Sequence, residues 1–90
     1  MKIIFDKPVY VETQESNNYF IFTSQQFNEI IEQFVADFPR EGIFSFLNFV
    51  NQMRPLKDCY KHSRFNSLAE AYVFEKAASL GLKAVENYDI

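Results

Sequence analysis

Between Gln26 and Phe38 the apolar residues recur at helical spacing: Phe27, Ile30, Ile31, Phe34, Val35 and Phe38 fall at i, i+3, i+4, i+7, i+8 and i+11. At about 100° per residue these positions share one side of a helix. Thr23 and Gln26 stand at the separation of a capping box, with Ser24 as an alternative cap, and Pro39 stops the pattern. The outer face carries Gln26, Glu29, Glu32, Gln33 and Asp37, and no cation follows any of these acids at i+4.

Upstream, Ile3–Phe5, Pro8–Thr13 and Asn18–Thr23 favour extended chain, with Pro8 interrupting pairing. The Glu-Ser-Asn-Asn run over 15–18 has turn chemistry, which predicts a hairpin. Tyr19-Phe20-Ile21-Phe22 is apolar at both parities. Such a strand is either covered on both faces or lends one to a partner.

Downstream, Ile43, Phe46, Leu47, Val50 and Met53 form a second helical stripe, with Phe44 and Phe49 on its two shoulders. Including the shoulders widens the apolar arc to roughly 220°, more than a surface helix normally buries. Ser45, Asn48 and Gln52 hold the remaining strip, so this helix is expected to be nearly central or shared with another chain. Arg54-Pro55 ends it, and Leu56–Arg64, which has no period, reads as a loop.

Ser67 and Glu70 repeat the capping-box spacing ahead of a third helix through Leu68, Ala71, Tyr72, Phe74, Ala78 and Leu80. Gly81 suits the left-handed stop, with Leu82 available for the accompanying apolar contact. Lys83–Tyr88 is a closing strand or an ordered tail. The order β-β-α-α-α-(β) predicts an α+β fold, a small antiparallel sheet (N-terminal hairpin, possibly a C-terminal strand) packed on three helices.

Ninety residues suffice for one domain, 1–90, and for no second core. Hydrophobic residues at 48% and charged residues at 23% argue against disorder and a membrane-embedded chain. Aromatics, at 18% with eleven Phe and five Tyr, are abundant enough for a core plus an exposed contact patch. Met1–Phe5 runs straight into charged and polar residues, so no secretory leader is expected. With a lone Cys59 in addition, the reading is a cytoplasmic protein without disulfide or membrane span.

The net charge of −3 divides unevenly: −4 over residues 1–50, +3 over 51–64 and −2 over 65–90. An acidic body is thus interrupted by one basic segment. That segment holds the only His as well as Cys59, but a nucleophilic thiolate needs a fixed base, and His62 on a flexible loop does not supply one. Cys59 and His62 give two zinc ligands where a structural site wants four, and Asp58 is a poor third. Two glycines, Gly42 and Gly81, leave no phosphate-binding glycine loop. No enzyme activity, metal or cofactor is expected.

The leading expectation is a small protein-binding module that neutralises a protein partner, in the style of an inhibitor or immunity protein. An acidic face of Glu29, Glu32 and Asp37 would steer it to a basic target, with Tyr19, Phe44, Phe49 and Tyr60 as aromatic anchors. The alternative is a nucleic-acid or nucleotide-phosphate binder using the 54–65 loop, with Arg54, Lys57, Lys61 and Arg64 on phosphates and Tyr60 on bases. A third is a homodimer seamed by the Phe-rich helix.

Overall fold

The computed structural model describes residues 5–15, 17–62 and 68–86. Along the chain these form β1 (Val9–Glu12), β2 (Asn18–Phe22), α1 (Ser24–Asp37), α2 (Glu41–Asn51), β3 (Met53–Pro55), β4 (Tyr60–His62), α3 (Leu68–Ser79) and β5 (Val85–Glu86). The fold is α+β, a five-stranded sheet in the order β3-β4-β1-β2-β5 packed with three helices. The sheet is mixed: β1 runs parallel to β4, and the other three pairs are antiparallel.

Local chemistry explains the well-predicted elements. Asn17 takes the left-handed conformation at φ 67°, and the Asn18 side chain donates to Glu15 Oε2 at 2.8 Å, closing the β1–β2 hairpin. At the start of α1 the Gln26 N–H donates to Thr23 Oγ1 and the Thr23 N–H to Gln26 Oε1, each at 3.0 Å, so the capping box forms as expected. At the end of α3 the Leu82 N–H donates to the Ala77 carbonyl and the Gly81 N–H to that of Ala78, with Gly81 at φ +73°. This is the Schellman stop, and Leu82 packs against the core as that motif favours. Val85–Glu86 adds the C-terminal strand to β2. Ile3, Ile4 and Ser67 lie outside the described residues.

Two expectations are corrected. The second helix ends at Asn51, and Met53 begins a strand. The stretch read as a loop contains β4 and with β3 makes a short hairpin, closed by the Leu56 N–H on the Cys59 carbonyl. Strands of three residues are too short to show alternation, and Pro55 is tolerated because β3 is an edge strand.

The register puts Val9, Val11, Phe20, Phe22, Met53 and His62 on one face of the sheet. Each helix meets that face through a ring contact: Phe27 of α1 on Phe22, Phe49 of α2 on His62 and Phe74 of α3 on Phe20. Val9, Val11, Phe22, Phe27 and Phe49 are fully buried there. Ser45 of α2 accepts the Ala69 N–H at 2.9 Å, tying the first turn of α3 to its neighbour. The segment before β1 is held by Asn28, whose amide both accepts from and donates to the Phe5 backbone.

Candidate functional site

The best candidate surface begins where α1 hands over to α2. Gly42 lets the two helices approach, since a Cβ there would lie 3.0 Å from Phe38 Cβ and 3.2 Å from the Phe34 carbonyl oxygen. Burial of Phe46 and Phe49 then fixes the rotation of α2. The consequence is that Phe44 points outward and stays 74% exposed, with Ile43 at 45%. Glu41 lies one turn before Phe44, and a shallow cleft of about 270 Å³ lined by Asp37, Phe38, Pro39, Arg40 and Glu41 adjoins it. Across residues 24–44 the acids Glu29, Glu32, Asp37 and Glu41 face one cation, Arg40.

Hydrogen bonds order part of this acidic face. Asp37 accepts from the Gln33 amide at 2.9 Å and from the Tyr72 hydroxyl at 3.0 Å. Burial, the bond to Asp37 and the nearby carboxylates push Tyr72 up to about 12, so it remains a neutral donor. Glu29 accepts from Gln25 and lines a groove of about 320 Å³ between α1 and α3, together with Ile30, Lys76 and Leu80. Glu29 to Asp37 is eight residues, about 12 Å along the helix. No protein family, curated protein or solved structure matches this chain.

Of the predicted anchors, only Phe44 stands free. Tyr19 is 2% exposed, with Tyr10 beside it and the Lys61 ammonium over its ring at 5.4 Å. Phe49 is fully buried, because its ring stacks on His62 at 3.7 Å and on Phe27 at 5.7 Å. Both are corrected from contact residues to interior ones. Tyr60 is half-buried; its hydroxyl donates to Asp6 at 2.7 Å and its ring lies under Lys7, so it ties the segment before β1 to β4. The Phe-rich helix therefore exposes one of its three phenylalanines, Phe44, beside Ile43.

The basic segment is also rearranged. Arg54 and Lys57 are exposed and Lys61 is half-buried, whereas Arg64 lies outside the described residues. Tyr60 alternates away from Arg54 and Lys61 and so does not share their face. His62, expected on a flexible loop, is fully buried in β4, and burial lowers it to about 4. Desolvation and then Asp58 raise the Cys59 thiol. A suppressed thiolate and a neutral imidazole oppose nucleophilic use of this pair. Among the described residues no three of His, Cys, Asp and Glu converge as a metal site, and no helix is long and apolar enough to cross a membrane.

The sequence contained no signal for exposure of Ile43, which is corrected from a member of the buried stripe to a surface residue, and none for Tyr10, whose outward parity depends on the register of β1 with β2 and β4.

Proposed function

We propose that this protein is a binding module for a cation-rich protein partner, docking through Phe44 and Ile43 with the acidic side of α1 as the rim. The observation that carries the reading is the 74% exposure of Phe44, a large side chain that α2 turns away from a core holding its other phenylalanines. A ring of this size desolvates about 150–250 Å² on docking, the kind of centre around which binding energy concentrates. Glu29, Glu32 and Glu41 would accelerate encounter with a basic surface more than they deepen affinity. Inhibition of a basic enzyme or toxin is the outcome such a surface supports best.

The test compares capture by wild type, Phe44→Ala and the double variant Glu29→Lys with Glu32→Lys from the native cell. Phe44→Ala is expected to leave stability within about 0.5 kcal/mol, because the ring is exposed. It should nevertheless weaken the partner at least tenfold. The charge-reversed variant should slow association and remove its salt dependence. A partner retained equally by Phe44→Ala, or one rich in acid, refutes the reading.

A further inference from the structure

The sheet has a second face, on which the register sets Arg54, Lys61, Tyr10 and Ile21 in one row across β3, β4, β1 and β2. Glu12, Tyr19 and Val85 form the next row. The Lys61 ammonium over Tyr19 and the Tyr10–Tyr19 contact at 6.3 Å confirm that these side chains share a side. The ring contacts described for α1, α2 and α3 all fall on the opposite face. Arg54 is exposed and Tyr10, Ile21 and Lys61 are half-exposed, whereas Tyr19 in the next row is buried at 2%.

Arg54 and Lys61 are direct cross-strand neighbours. Like charges so placed repel. Among the described residues neither has an acidic partner, and the described acid on this face, Glu12, accepts the Tyr19 hydroxyl at 3.5 Å. In the β3–β4 turn Lys57 is offset by its exposed neighbour Asp58, so the cations of the row are Arg54 and Lys61. The acidic outer side of α1 belongs to the helical layer across the sheet, so Arg54 and Lys61 lie on the opposite side of the sheet from Glu29, Glu32 and Asp37.

We propose that this face is a binding site for a short single-stranded nucleic acid, with backbone phosphate seated between Arg54 and Lys61 and a base on Tyr10. An anion there converts a repulsive pair into a bidentate clamp. The adjacent ring supplies the stacking that makes such binding tolerant of sequence. Strands about 4.8 Å apart make the row about 14 Å long, a strip bounded on one side by the buried Tyr19 and not an enclosed pocket. A duplex keeps its bases stacked on one another, so the Tyr10 ring favours a single strand.

The probe is a fluorescent twelve-nucleotide oligothymidylate, followed by anisotropy at about 50 mM salt. Wild type should bind in the range of roughly 1–100 µM, weakening as salt rises. Arg54→Glu, at an exposed edge position, should weaken it at least tenfold and flatten the logarithmic salt dependence by about 0.7, the share of one phosphate contact. Tyr10→Ala should weaken it about tenfold without flattening that slope. Lys83→Ala, outside the row, should change nothing. Circular dichroism and the urea midpoint check that each variant is folded. The proposal is overturned by absent binding at this salt, by unchanged binding in folded Arg54→Glu, by equal affinity for inorganic phosphate, or by anionic vesicles binding where the oligonucleotide does not.

Discussion

His62 shows how one residue can take an interior role that its polarity does not advertise. Its ring fills the space between β4 and α2 at stacking distance from Phe49, and burial holds it neutral down to about pH 4. In the unfolded chain the same imidazole titrates near its ordinary value of about 6.5. Between those limits the unfolded state binds the extra proton, so acid favours unfolding. The contribution is therefore complete above about 6.5 and is lost as pH falls through about 4. A depression of this size corresponds to roughly 3 kcal/mol. Urea midpoints collected from pH 7 to pH 4 should fall accordingly, and His62→Phe, which keeps a flat ring, should remove most of that slope. A variant with an unchanged slope would assign the acid sensitivity to carboxylates.

At the scale of elements, legibility followed how locally each element was determined. α1 was readable because its period, its cap and its stopping proline all lie within the segment, and α3 because Gly81 and Leu82 specify its stop. β3 and β4 were not, since three residues carry no alternation and β4 reaches the rest of the sheet through the parallel strand β1, about fifty residues earlier. For the candidate site, Phe44 and Phe49 were equivalent shoulders in the sequence. The distant His62 and the packing of Phe27 decide which one is buried. The α1–α2 junction yields an element-scale prediction. Gly→Ala inside a helix normally stabilises by about 0.5–1 kcal/mol. At Gly42 the new methyl meets Phe38 and the Phe34 carbonyl, and crowding of about 1–3 kcal/mol outweighs that gain. Gly42→Ala should thus lower stability by about 1 kcal/mol in urea unfolding. A gain would mean that the two helices part freely there.

Across the whole molecule, the sheet is assembled from pieces that are close together and pieces that are far apart. β1 is enclosed by β2 and β4, with Val9 and Val11 fully buried against the helical layer. Its pairing with β4 joins Tyr10 to Lys61, so both sides of β1 are satisfied only when α1 and α2 have folded and returned the chain. The Lys7 ammonium on the Leu56 carbonyl at 2.8 Å closes the same circuit. The rims differ: β5 is two exposed residues, and β3 ends in exposed Arg54 and Pro55. Opening a rim sacrifices little buried apolar surface, whereas opening β1 uncovers the centre of the core. Native-state hydrogen exchange should therefore divide the sheet. Amides of Val9–Glu12 should exchange only at the free energy of global unfolding, and those of Val85 and Glu86 through local opening several kcal/mol lower. If β1 amides exchanged as readily as those of β5, the sheet would open at its centre as easily as at its rim, and the burial of Val9 and Val11 would not be what holds β1.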